Sequence, residues 1–351
     1  MRRKRSEIAN PLAVNTLHIT QRCARQNFLL DDSKRAKGRF KRRRMIIYRR
    51  LAFLASVFAV DIFRVAFMSN HLHLTLRNRP DIVSTWSDHE VARRWLTAFP
   101  GYCQAHVDFY KSKPTAPSDD DIRALSRDKE RIKTLRGRLS DISTFMWGLN
   151  NYLSKLFNMI DKKKGSFWDG RYKSQALLDD IALLICGLYI DLNPIRAGIA
   201  RTPEESLYTS AYWQLESKRI LAAFPNTNPA SLPDAFLSPI QICEDEHSKT
   251  RSATGCRASD LGFLSMSDAE YLILHDLVGR IVREDKIGSI PADLPPIFER
   301  LNFSLDAACE LVKGYRNLFK SFVGTASSIK AKTSELGSRR LTCPAVTRRI
   351  I

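Results

Sequence analysis

The sequence predicts an α+β protein: an antiparallel sheet with helices packed on it, followed by a mostly helical C-terminal extension. Three observations predict it. Leu12–Gln21 and His71–Arg77 alternate apolar and polar residues with the period of a strand. Longer stretches repeat apolar residues at the i/i+3/i+4 spacing of a helix. The elements come in the order strand, helix, strand, strand, helix, with a further helix behind them. That order suits a ferredoxin-like sheet with its helices on one face.

Each element has its own signal. In Leu12–Gln21, Leu17 and Ile19 point one way while Thr16, His18 and Thr20 point the other. Arg43–Val60 reads as a basic helix that turns apolar. Phe58–Phe67 and His71–Arg77 read as two strands joined by the short turn Met68-Ser69-Asn70. Asp88–Phe99 is a helix. Lys111–Lys133 is charged, with prolines near its start, and reads as an exposed insertion within residues 100–138. Ser140 is a natural N-cap for a long helix, Ser140–Ile160. Its apolar stripe is Ile142, Phe145, Leu149, Leu153, Leu156 and Ile160. A glycine-punctuated stretch, Gly165–Ser174, leads to an apolar helix, Asp180–Ile190, which Asn193-Pro194 stops. Ala223–Pro239 carries four prolines and reads as a linker. The chain beyond it is helical in pattern, with a break from Ile290 to Pro296. The expected organisation is a core over residues 1–215, a linker over 216–239 and a helical extension over 240–351.

Composition bounds the function. The 351 residues are 44% apolar, enough for a proper core. Lys and Arg outnumber Asp and Glu by 56 to 37, giving a net charge of +19. A surplus of this size points to a polyanionic partner, nucleic acid first among them. The charge is clustered: Lys34–Arg50 holds ten Lys or Arg, including Arg42, Arg43 and Arg44. Met1–Arg5 is basic as well. Such runs grip phosphate without reading bases, or serve as tails and address signals. The seven cysteines are dispersed, with no Cys-x-x-Cys pair, so a structural zinc site is not expected and a cytoplasmic location is. No apolar run is long enough to span a bilayer, and no membrane partner is expected. No Gly-x-x-x-x-Gly-Lys loop suggests ATP use.

The sharpest local feature is the pair His71-Leu72-His73. Residues i and i+2 of a strand share a face, with Cβ atoms about 6–7 Å apart. Two imidazoles so placed can converge on one divalent ion that polarises a phosphate oxygen. Leu72, Leu74 and Leu76 take the other face and anchor the strand. A polar surface pair would look the same in isolation. His18, which could face the same side, and Asn158, on the long helix, are the candidates for a third ligand. Tyr152 lies on the rim of the apolar stripe of Ser140–Ile160, about 40° around the helix from Leu156. From there a phenol could reach a neighbouring sheet as nucleophile, or could be a core tyrosine with a wet hydroxyl. In Gly165–Ser174 the aromatics Trp168 and Tyr172 interleave with Arg171 and Lys173. That pattern allows bases to stack while cations hold phosphate, and it equally fits a packed turn.

Five pieces, in order, resemble the REP-associated tyrosine transposases, a branch of the single-tyrosine HUH family. They are His18-Ile-Thr-Gln-Arg22, Met68-Ser-Asn-His-Leu-His73, the helix bearing Tyr152, Gly165-Ser-Phe-Trp-Asp-Gly-Arg-Tyr-Lys-Ser-Gln-Ala176, and Tyr189-Ile-Asp-Leu-Asn-Pro-Ile-Arg-Ala-Gly198. Gly279–Lys286 and Ile290–Ile297 resemble the tail of a longer subgroup. The resemblance implies an HUH core of ferredoxin-like type. It implies Mg²⁺ or Mn²⁺ on His71 and His73, and Tyr152 as the nucleophile, with Tyr172 in reserve. The substrate would be single-stranded, hairpin-forming DNA, joined transiently as a 5′-phosphotyrosine. Arg22, Arg171, Lys173, Asn193 and Arg196 would support DNA or the fold, and a homodimer is compatible with it. Related enzymes carry a polar metal ligand one turn after the tyrosine, where this chain has Leu156. Asn158 lies about 120° around the helix from Tyr152. Three readings follow: a strand-transfer enzyme, a DNA-binding protein of the same fold without strand transfer, and a metal-dependent nuclease that uses water.

Overall fold

A computed structural model of the chain describes residue 8 and residues 10–24, 29–30, 41–100, 116–200, 202–281 and 322–335. Five strands form one mixed sheet: β1 (Thr16–Arg22), β2 (Val60–Phe67), β3 (His71–Asn78), β4 (Lys173–Leu177) and β5 (Phe322–Val323). Their order is β2-β3-β1-β4-β5. The first four pair antiparallel, and β5, from the C-terminal extension, joins β4 in parallel.

The register assigns the two faces. β1 and β3 place His18 opposite Thr75, Thr20 opposite His73 and Arg22 opposite His71. β4 places Gln175 opposite His18 and Lys173 opposite Thr20. Those side chains share one face. Leu17, Ile19, Leu72, Leu74, Leu76 and Ala176 take the other and are buried in the first core. Burying one such aliphatic side chain contributes roughly 1.5–3 kcal/mol. This leucine face therefore anchors the sheet to the helices of the first core.

Over the leucine face lie α1 (Lys41–Val57), α2 (Pro80–Thr85), α3 (Asp88–Ala98), α4 (Asp119–Arg127), α5 (Lys129–Leu139) and α6 (Ile142–Asp161). The α6 helix starts two residues later than the sequence suggested. Asp141, not Ser140, is the N-cap, accepting from the Thr144 amide at 2.8 Å. Ser140 instead closes α5 by donating to the Gly137 carbonyl. Residues 101–115 of the expected exposed insertion lie outside the described residues, and the part from 116 on is corrected. Ile122 and Leu125 of α4, and Ile132, Leu135 and Leu139 of α5, are buried in the first core. Their charged residues lie on the outer faces of two amphipathic helices, which sequence charge alone reads as solvent.

The histidine face is covered by α7 (Asp180–Asp191), capped by Asp179. A one-turn helix, α8 (Asn193–Arg196), follows, then α9 (Ser210–Ala223), α10 (Glu246–Thr250), α11 (Asp268–Ile281) and α12 (Ala326–Glu335). A second core joins Phe63 and Ala66 of β2, nearly all of α7, Phe263, Leu264, and Tyr271, Leu274 and Val278 of α11. The expected linker over 216–239 is packed at both ends and exposed between them. The α9 helix runs through its start, Phe236 and Leu237 are buried, and the Ser238 amide donates to the Ile62 carbonyl at 2.8 Å. Pro225 and Pro229 are exposed, while Pro233 and Pro239 are half-buried where the chain returns to the core. Arg77 and Arg79 converge on buried Asp61, with Ser259 donating to the same carboxylate, and so tie the 250s to the sheet. The basic segments Met1–Arg5 and Lys34–Phe40, and the tail stretch Ile290–Ile297, lie outside the described residues. Among the described residues no helix is long and apolar enough to cross a membrane.

Candidate functional site

The site is built at the start of β3. The turn before it is pinned from several sides: the Met68 amide donates to the His71 carbonyl, the Leu30 amide to Ser69 and the Cys23 amide to Asn70. Asn70 Oδ1 lies 2.6 Å from His71 Nδ1, a contact that fixes the orientation of the ring. His73 follows on the same face, 4.9 Å away between ring centroids. His71 is half-buried and His73 buried.

Behind His73 stands His18, stacked on it with centroids 5.1 Å apart. His18 Nε2 is 2.9 Å from His73 Nδ1, and His18 Nδ1 is 2.8 Å from Gln175 Oε1. Thr20 Oγ1 lies 3.3 Å from His73 Nδ1. Burial lowers the His18 pKa to about 4 against the opposing bond to Gln175, so its ring is neutral at pH 7.

The lid of the site is α7. Tyr189, near its end, is buried and sits edge-on to both rings, its centroid 5.6 Å from His73 and 6.1 Å from His18. The Arg196 guanidinium lies 5.8 Å from the Tyr189 ring centroid. Asn193 donates through Nδ2 to the Tyr189 carbonyl at 2.7 Å. Two residues after Tyr189, fully buried Asp191 fixes the helix. It accepts from Tyr271 at 3.0 Å and pairs with Arg64 at 3.4 Å. Arg64 in turn donates to Gln214 at 2.9 Å. Gly187 lets α11 come close, since a Cβ there would stand 2.9 Å from the Tyr271 hydroxyl.

The other sequence candidates are placed elsewhere. Tyr152 packs on the first core, on the leucine side of the sheet, with the Arg50 guanidinium 4.5 Å from its ring centroid. The sheet therefore stands between Tyr152 and the histidine pair, which corrects the expectation of a shared site. Asn158 lies on α6, the helix packed on the leucine face, where its Nδ2 donates to the Gly165 carbonyl. His18 is not a third ligand, because both its nitrogens are engaged by Gln175 and His73. Tyr172 is buried against Ser143, 3.1 Å from its hydroxyl. Trp168 is buried, its indole donating to the Asn150 carbonyl at 3.2 Å. Both are parts of a packed turn and offer no stacking surface. Arg43 is buried, paired with Asp161 and lying over Phe157. Arg44 is buried over Tyr208. Only the backbone of Arg42 is among the described residues. Arg171 and Lys173 are exposed, and Arg22 lies across the ladder from His71.

The residues that sequence reasoning missed are Tyr189, Gln175 and Thr20. One signal could have found Tyr189. It has a polar residue, Asn193, one turn after it, which is the spacing that Tyr152 lacks. Among the described residues no group of three His, Cys, Asp or Glu side chains gathers as a metal site. The His71–His73 pair fits an incompletely held divalent cation that keeps water or takes phosphate oxygens. No family model, no curated protein and no solved structure matches the chain.

Proposed function

We propose that the chain is a DNA strand transferase of the single-tyrosine HUH type, with Tyr189 as the nucleophile. The observation that carries this reading is the Tyr189 ring, edge-on to His73 at 5.6 Å, on the helix that covers the histidine face. The order β2-β3-β1-β4, antiparallel throughout, supports reading these strands as a ferredoxin-like core.

In this reading His71 and His73 hold Mn²⁺ or Mg²⁺, Mn²⁺ being the better match to nitrogen donors. When bound, the ion supplies positive charge that polarises the scissile phosphate and steadies the leaving oxygen. Asn193 turns its amide nitrogen to the Tyr189 carbonyl, which makes Oδ1 the end that a cation or water would meet. Arg196 brings positive charge to the phenol that must lose its proton. The Tyr189 phenol gives up its proton and its oxygen attacks phosphorus; the P–O3′ bond breaks, and O3′ takes up one proton and leaves as a 3′-hydroxyl. The product is a 5′-phosphotyrosine, which reverses when another 3′-hydroxyl attacks. Lys173, Arg171 and Arg22 border the histidine face and suit a single strand's backbone.

The test is a labelled, hairpin-containing single-stranded DNA incubated with the protein and Mn²⁺, read on a denaturing gel. The expected result is a covalent adduct that Tyr189→Phe abolishes. Salt-sensitive binding without an adduct, or cleavage that survives Tyr189→Phe, overturns the assignment.

A further inference from the structure

The histidine face contains a chain of hydrogen bonds that strand transfer alone does not require. It runs Gln175 Oε1 to His18 Nδ1 at 2.8 Å, then His18 Nε2 to His73 Nδ1 at 2.9 Å. Three strands contribute one link each, through the register that sets Gln175 beside His18 and His73 beside Thr20.

Such a chain has a direction, because each contact holds one proton and a neutral imidazole carries only one N–H. With the amide oxygen toward the ring, His18 must donate from Nδ1. Its Nε2 is then an acceptor, so His73 must donate from Nδ1. The remaining nitrogen of His73, Nε2, then carries a lone pair. With an amide nitrogen in place of that oxygen, every proton shifts one step and Nε2 of His73 becomes an N–H, which cannot bind a cation. Thr20 Oγ1, 3.3 Å from His73 Nδ1, accepts from the same N–H in the first arrangement.

We propose that Gln175 and His18 are positioning residues that lock His73 in its Nδ1–H tautomer and so present Nε2 as a metal ligand. The use of that lone pair rests on the reading of His71 and His73 as a cation site; the tautomer itself does not. An acceptor two residues away from the cation thus decides whether the site can load at all, which extends the usual single outer-sphere partner of a metal-bound histidine by one ring.

The experiment uses the full chain, metal-free, with ¹⁵N-labelled histidine, and reads tautomers from long-range ¹H–¹⁵N correlations at pH 7.5. Signals are assigned with His18→Gln and His73→Gln. The proposal expects Nδ1–H at both His18 and His73. An Nε2–H tautomer at His73 overturns it, whatever the metal does. Two variants then reverse or keep the direction. Gln175→Glu offers only acceptors and should leave both tautomers and Mn²⁺ affinity within about threefold of the native chain. Gln175→Lys offers only donors and should turn His73 to Nε2–H and weaken Mn²⁺ binding by ~10- to 100-fold, read by the electron spin resonance of free Mn²⁺. Unchanged His73 tautomer and Mn²⁺ affinity in a folded Gln175→Lys chain overturns the relay. Native tautomers as expected, with no Mn²⁺ bound, leave the relay standing and sink the cation-site reading instead.

Discussion

Two helices carry the tyrosines that matter here, and they are built on opposite principles. The twenty-residue α6 helix is amphipathic: one stripe, from Ile142 to Phe157, is buried while Trp147 is half exposed. The twelve-residue α7 helix is buried on every side from Ala182 to Asp191. An amphipathic helix needs one partner surface, and α6 finds it on the leucine face. A helix apolar all round needs two. The α7 helix has the histidine face of the sheet beneath it and α11 beyond it. Tyr152 sits on the rim of a helix that packs on leucines. Tyr189 sits within a helix clamped over histidines, with a buried aspartate two residues on. The difference teaches that what a tyrosine meets follows from the face its helix covers and not from its own position on a stripe.

The strongest way to break this comparison is to delete each hydroxyl in turn. Tyr189→Phe should lower covalent adduct formation by ~10³-fold or more, while Tyr152→Phe should stay within about twofold. Single-turnover adduct assays on the two variants decide it. Equal losses would return Tyr152 to the site.

Next in size is the clamp. Asp191→Ala leaves the Arg64 guanidinium fully buried without its carboxylate, and should cost about 3–5 kcal/mol in urea denaturation. The matching change on α6, Asp161→Ala, removes the partner of Arg43 but from a carboxylate that is 16% exposed, and should cost about 1–2 kcal/mol. Similar losses would show that α7 is held no more tightly than α6.

As pH falls from 7, acid should act first on the histidine side, before the carboxylates Asp81 and Glu90 of the leucine-side helices titrate. The folded-state pKa of His18 is about 4, below its unfolded value of 6.5. The unfolded chain therefore takes up the proton first as pH falls. Stability from this group is intact above pH 6.5 and is lost between 6.5 and about 4, on the order of 3 kcal/mol in total. Burial lowers the pKa of His275 too, against the nearby Asp191, and adds in the same direction. Denaturation midpoints at pH 7, 6 and 5 should fall accordingly, and a His18→Asn chain should show a shallower decline. A parallel decline in that variant would remove His18 as the cause.

The smallest effect separates buried from exposed arginines. Replacing Arg171 and Lys173 with alanine should weaken binding of single-stranded DNA. It should also reduce the slope of log affinity against log salt by about 1.4, or ~0.7 per lost phosphate contact. Arg44→Met should change stability and leave that slope alone, because Arg44 is buried over Tyr208. A slope that moves with Arg44 and not with Arg171 would reverse the placement of the DNA path.

By itself the sequence determined several of the local elements and the paired histidines. Alternation in His71–Arg77 puts His71 and His73 on one side and three leucines on the other, and the strand does so. Period also marks α1, α3, α6 and α7 to within a few residues, because helix and strand periods are local properties of the chain. What only the tertiary structure decided is which helix covers which face. Periodicity gives a helix an apolar side but not the sheet surface that side will meet. Tyr152 and Tyr189 therefore look alike until packing puts the sheet between one of them and the histidines. The basic run shows the same limit. Arg43, Arg44 and Arg50 count as surface charge in the sequence, yet each is buried on an aromatic ring. Formal charge is fixed by composition, but whether it meets phosphate or protein depends on neighbours distant in the chain. Gln175 reaches His18, and His18 reaches His73, only because β1 lies between β3 and β4, an adjacency that no local pattern encodes.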